Sequence, residues 1–203
     1  GAKIKKDFEL VTRVKRLEDD ENKIKVIEFN MEGKKYLGDV LDSIPFGILN
    51  KNRTGVGATT LEIEAKRNSI IVCPNKSLAY SKSKSRPDGL LQYVGSPIGD
   101  ITSSTSPKDI EDYIDEINQK ISDGEDVYKK FLVVADSLHK VYEVIATKKK
   151  SLESYFLLVD EVDMIQSDAT YRPKLEDVID YYFKFPPSNR ALVSATIKDF
   201  THD

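Results

Sequence analysis

Lys51-Asn52-Arg53-Thr54-Gly55-Val56-Gly57-Ala58-Thr59-Thr60 is the stretch around which the rest of the chain is arranged. The apolar run Phe46-Gly47-Ile48-Leu49 leads into it, and Leu61-Glu62-Ile63-Glu64-Ala65-Lys66 follows. This order reads as strand, glycine loop and helix, the context in which a glycine loop cradles phosphate. Gly55 and Gly57 let the backbone turn so that successive N–H groups face one anion, and the new helix adds its positive end. Arg53, Thr54, Gly55, Val56, Gly57, Ala58, Thr59 and Thr60 are the candidate cofactor-binding set, with the Thr59 hydroxyl placed to hold Mg²⁺. A glycine pair ahead of a helix is also an ordinary turn, so the weight falls on what lies downstream.

Composition narrows the class. At 203 residues the chain suits one sizeable α/β domain or two small ones, and 39% apolar with 32% charged residues suits a globular protein in water. No apolar run approaches a membrane span, and no hydrophobic leader opens the chain, so the cytoplasm of a cell or an infected host is the expected compartment. A single Cys73 excludes an internal disulfide framework, and with two histidines a zinc site is not expected. A net charge of −3 argues against a uniformly basic coat for nucleic acid but leaves room for local basic patches.

Residues 3–36 are highly charged and contain two alternating stretches, Phe8-Glu9-Leu10-Val11 and Ile24-Lys25-Val26-Ile27-Glu28-Phe29. Asp19-Asp20-Glu21-Asn22 between them reads as an exposed turn, which predicts a β-hairpin. Tyr36 to Ile44 is expected to form a short helix ending before Pro45. Residues 1–45 are thus an extension packed on a core domain spanning 46–203.

Within the core, Ile70-Ile71-Val72-Cys73, Phe131-Leu132-Val133-Val134-Ala135, Tyr155-Phe156-Leu157-Leu158-Val159 and Ala191-Leu192-Val193 are continuous apolar runs. Continuous runs fit strands buried on both faces of a parallel sheet. Between them, Ile110, Tyr113, Ile114, Ile117 and Ile121 repeat at helical spacing, as do Leu138, Val141, Tyr142 and Ile145, and Leu175, Val178, Ile179 and Tyr182. The alternation predicts an α/β fold with a central, mostly parallel sheet and helices on both faces. Residues 81–89 and 96–107 are rich in Ser, Thr, Gly and Pro and read as loops. Lys82, Lys84 and Arg86 in the first, and the Lys148-Lys149-Lys150 cluster, are either solvated charges or phosphate contacts.

The run Phe156-Leu157-Leu158-Val159 ends in Asp160-Glu161-Val162-Asp163. Ligands of open α/β sheets sit beyond the carboxyl ends of the strands, which brings Asp160 and Glu161 toward the glycine loop. There Asp160 would hold Mg²⁺ and Glu161 would polarise an attacking water. The plain alternative is a strand capped by acidic turn residues. A later strand ends as Val193-Ser194-Ala195-Thr196.

With these residues in order, the chain over about residues 46–197 resembles the first RecA-like domain of a superfamily 2, DExD/H-box helicase. Asp160-Glu161-Val162-Asp163 looks like the DExD box, and Ser194-Ala195-Thr196 looks like the Ser-Ala-Thr motif that couples hydrolysis to strand movement. The resemblance implies that Asp163 hydrogen-bonds the hydroxyls of Ser194 and Thr196. Val72-Cys73-Pro74-Asn75-Lys76-Ser77-Leu78-Ala79 is similar to motif Ia, which makes Asn75, Lys76 and Ser77 the implied nucleic-acid contacts. Val134-Ala135-Asp136-Ser137-Leu138 stands where motif Ib would be, with a weaker match. Implied with the family are ATP and Mg²⁺ as cofactors, nucleic acid as partner with DNA preferred over RNA, and a second RecA-like domain in the parent chain.

The departures from that pattern are specific. A Walker A loop carries lysine just before the Mg²⁺-binding hydroxyl, and here that position is Ala58. No adenine-reading motif stands out upstream, and the chain ends soon after the Ser-Ala-Thr strand, as an excised first domain would. Lys51, with Arg53, offers a substitute cation, since the large terminase subunits of some viral packaging motors carry theirs at the start of the loop; both residues are equally readable as solvated charges at a strand end. Three readings follow: a nucleic-acid-dependent NTPase module of a helicase or translocase, the ATPase domain of a packaging terminase, and a RecA-like scaffold without hydrolysis.

Overall fold

The continuous apolar runs form strands most of whose side chains are buried. In a computed structural model that describes residues 10–14, 25–29, 36–39, 41–50, 57–147, 152–162 and 172–194, these strands are β3 (Gly47–Asn50), β4 (Ser69–Cys73), β6 (Lys130–Val134), β7 (Phe156–Val159) and β8 (Arg190–Ser194). β1 (Leu10–Val14) and β2 (Lys25–Phe29) pair antiparallel with Leu10 opposite Phe29, as the predicted hairpin requires. Its Asp19–Asn22 turn lies outside the described residues.

One strand escaped the sequence reading. β5 (Leu91–Val94) is only half buried at its first two positions, carries Gln92 and lies at the sheet margin beside β6, so it lacks the apolar run that marks its neighbours. The full order is β1-β2-β3-β8-β7-β4-β6-β5. The six strands from β3 to β5 in that order are all parallel, β2 joins β3 in parallel, and β1 alone runs the other way. This is an α/β fold consistent with a RecA-like domain.

Helices cover both faces. On one lie α1 (Ala58–Glu64) and α2 (Lys76–Ser83), with Leu37, Leu41, Ile63, Ile71 and Leu132 among the residues they enclose. On the other lie α3 (Pro107–Ser122), α4 (Leu138–Thr147) and α5 (Arg172–Lys184), closing over Ile110, Ile117, Phe131, Val141, Leu157 and Val178. The helical spacings mark the buried faces of all three, except that Ile121, in the last turn of α3, is exposed. The start of α3 is written locally: Ser106 and Asp109 form a reciprocal capping box with Pro107 at the first helical position. Such a cap is worth about 1 kcal/mol.

Two local expectations are corrected. Tyr36–Ile44 is not a helix: Leu37–Asp39 makes one 3₁₀ turn, and Leu37, Leu41 and Ile44 are buried against the sheet. Packing of three apolar side chains, with Pro45 closing off the helical route, decides the path. The supposed loop at 81–89 begins inside α2, which Asn75 starts by accepting the N–H of Leu78 at 2.9 Å. Among the described residues no helix is long and apolar enough to cross a membrane.

Candidate nucleotide site

The carboxyl ends of β4 and β7 open onto one cleft of about 640 Å³. β4 pairs with β7, and the N–H of Asp160 continues that ladder to the Val72 carbonyl at 3.1 Å, which pins Asp160 at the strand exit. α1 enters from the other side. Gly57, its N-cap, has φ 83°, a left-handed conformation that glycine adopts without penalty. A Cβ there would make only ordinary contact with the Tyr36 ring, at 3.7 Å, so the backbone angle rather than space calls for glycine.

From this entry α1 places Thr59 against β7. The Thr59 hydroxyl donates to Asp160 Oδ2 at 2.8 Å, and both residues are buried. The bond joins positions 101 residues apart in sequence, and it is made by the hydroxyl and carboxylate that the sequence singles out. Glu161 follows at the cleft wall with φ 53°, the one described non-glycine residue in the left-handed region. That conformation costs about 1–2 kcal/mol for an L residue. Glu161 is held there while almost wholly buried at 8% exposure, so its backbone turn is imposed by tertiary structure.

The remaining walls are mixed. Cys73 and Pro74 form the β4 side, Ala58 and Thr60 the α1 side, and Tyr36 and Leu78 lie exposed at the rim. Burial pushes the Cys73 thiol far up from its ordinary value, the nearby Asp160 charge pushes it further, and Lys82 opposes both. Lys82, from the last turn of α2, reaches into the cleft and donates to the Thr60 hydroxyl at 3.0 Å. The sequence reading placed Lys82 in a loop, among basic residues that could meet phosphate. The N-cap Asn75 was the signal that this segment is helical and therefore has a defined direction.

Of the predicted site residues, Gly57, Ala58, Thr59, Thr60, Asp160 and Glu161 converge on the cleft. Lys51, Arg53, Thr54, Gly55, Val56, Asp163 and Thr196 lie outside the described residues. Ser194 ends β8 opposite Asn50 of β3 and is buried at the same edge of the sheet. Asn75, Lys76 and Ser77 are exposed at the start of α2; Lys76 donates to the Pro97 carbonyl at 3.4 Å, while Asn75 is occupied in capping the helix. Residues 135–137 form a 3₁₀ turn at the carboxyl end of β6, so the segments matched to motifs Ia and Ib leave the sheet at its carboxyl edge, as the cleft residues do.

Among the described residues no group of three or more His, Cys, Asp and Glu side chains is arranged to hold a metal ion. Thr59 and Asp160 supply two hard oxygen donors, a set that suits Mg²⁺ only when phosphate oxygens and water complete the shell. No protein-family model matches the chain, and the search of curated proteins found no significant relative.

Proposed function

We propose that this domain is a nucleotide-binding module of the RecA-like class that takes a nucleoside triphosphate with Mg²⁺ in the cleft between α1 and β7. The observation that carries the reading is the buried Thr59–Asp160 hydrogen bond beside Glu161. A hydroxyl at the head of a helix and a carboxylate at a strand exit, brought within 2.8 Å, form the pair that would hold Mg²⁺. Bound there, the ion would neutralise charge on the phosphates. Tyr36 and Leu78 give the rim apolar surface suited to a base.

Glu161 is the candidate general base. Its carboxylate would take a proton from the water that attacks the terminal phosphorus, with the nucleoside diphosphate as leaving group and phosphate as the second product. Nucleic acid, DNA in preference to RNA, would be the partner at the segment Asn75–Ser77. A second RecA-like domain would complete the site. Helicase or translocase activity is the reading favoured over a packaging ATPase because motif-like segments other than the carboxylate pair occur in helicase order.

The test is MgATP binding by the wild-type chain, followed by hydrolysis in the presence of single-stranded DNA by the protein in a form that includes the partner domain. Glu161→Gln is expected to slow turnover by on the order of 10²-fold or more while MgATP still binds. Turnover at the wild-type rate would remove Glu161 from the chemistry. Absence of MgATP binding by the wild type would overturn the reading as a whole and leave a scaffold.

A further inference from the structure

We infer that Lys82 is the cation that meets the triphosphate in this cleft, taking the part that a lysine at position 58 would otherwise play. The inference rests on the nucleotide reading above and names the residue on which phosphate affinity depends. The need for a cation is electrostatic. Among the described residues that line the cleft, Glu64, Asp160 and Glu161 are acidic and Lys82 is the one basic side chain. Even with Mg²⁺ bound, a triphosphate keeps net negative charge, so backbone N–H groups facing two or three carboxylates would hold it weakly.

Lys82 has the required geometry. Its ammonium lies 3.0 Å from Thr60 Oγ1, and Thr60 directly follows the Thr59 that bonds Asp160. The cation is therefore anchored next to the hydroxyl–carboxylate pair, on the cleft side of α1. An ammonium carries three N–H donors, and Thr60 takes one. The charge acts across the cleft: Lys82 pulls the Cys73 thiol down, against the push of burial and Asp160.

Position 58 explains why the cation comes from elsewhere. Ala58 is 1% exposed and sits in the first turn of α1, packed within the core cluster on that face of the sheet. The small residue lets α1 pack closely, and the charge arrives from α2 instead. A lysine in the last turn of a helix is also favoured by that helix's own dipole. Here, however, the ammonium goes to Thr60 on another helix, so the dipole does not account for its direction.

The experiment is a calorimetric titration of the 203-residue chain with MgATP and, separately, with adenosine, for wild type, Lys82→Ala, Lys82→Met and Lys82→Arg. Circular dichroism reports folding. Loss of a charge-assisted phosphate contact is expected to weaken MgATP about tenfold to a hundredfold in Lys82→Ala and Lys82→Met. Adenosine affinity is expected to stay unchanged, and Lys82→Arg to recover most of the MgATP affinity. Lys82→Met keeps the apolar stem, so it serves if the alanine variant misfolds. Wild-type MgATP affinity in both neutral variants would overturn the role of Lys82 and leave the nucleotide reading standing. An equal loss for adenosine would make Lys82 a packing residue and overturn the inference likewise. Failure of the wild type to bind MgATP would remove both.

Discussion

The two ends of the sheet both bury carboxylates, and they treat them differently. At the amino ends of the strands, Glu62 is fully buried and answered on every side. Arg67 holds it through Nε at 2.8 Å and Nη2 at 2.6 Å, and the Ser69 hydroxyl donates at 2.7 Å. Arg67 also donates to the Ile44 carbonyl at 2.8 Å and stacks over the Phe156 ring. Lys130, buried at the start of β6, donates to the carbonyls of Glu62 and Ala65 and to Ser69 Oγ. This network ties the end of α1, the approach to β3 and the starts of β4, β6 and β7 into one unit. At the carboxyl ends, Asp160 and Glu161 face an open cleft, and Glu161 is held in a strained backbone conformation. One end closes its carboxylate into a network away from any cleft, and the other places its carboxylates on a cleft wall and carries backbone strain there.

The largest expected effect falls on the networked end. Glu62→Ala leaves the buried Lys130 and the half-buried Arg67 without their counter-charge, and unfolding free energy is expected to drop by about 3 kcal/mol. Urea denaturation measures it. A loss near that of an exposed pair, about 0.5 kcal/mol, would mean that water reaches the network and that the contrast between the two ends is false.

A smaller effect follows from pH. Burial pushes the Lys130 ammonium down to about 8, with Glu62 opposing the shift and Arg67 adding to it. From there up to the ordinary lysine value, the unfolded chain holds a proton that the folded chain has given up. Unfolding therefore takes up a proton, and stability rises with pH across that window, by on the order of 2 kcal/mol. Burial also pushes the phenols of Tyr155 and Tyr182 up to about 12. Above the ordinary tyrosine value the unfolded chain loses protons that the folded chain keeps, so stability falls again. Denaturant midpoints from about pH 7 to about pH 12 should pass through a maximum near pH 10. Lys130→Met should flatten the rising limb; a limb unchanged in that variant would assign the rise to another group.

The smallest effect has the opposite sign and belongs to the cleft. Glu161→Gly removes the left-handed strain of about 1–2 kcal/mol, and the greater freedom of glycine in the unfolded chain offsets part of it. A net stabilisation of about 1 kcal/mol is expected. Destabilisation instead would show that Glu161 is a structural carboxylate like Glu62.

The amino-acid sequence by itself determined the α/β architecture, because strands buried on both faces must be apolar throughout and helices buried on one face must repeat at their own period. Ile70–Cys73 and Ile110–Ile117 carry those patterns without reference to anything distant. It also singled out Thr59, Asp160 and Glu161, since a glycine loop before a helix and a carboxylate pair after a strand are local signals. Tertiary structure alone decided the rest. β5 is a strand because β6 supplies its partner, and Tyr36–Ile44 turns as it does because three apolar side chains find the sheet. The Glu62–Arg67–Lys130 network joins residues that look like ordinary surface charges in sequence, and only packing removes water from them. Lys82 belongs to the same class. Its ammonium meets the cleft because α2 lies beside α1, and no spacing along the chain encodes the distance between two helices that are brought side by side only when the sheet beneath them has formed.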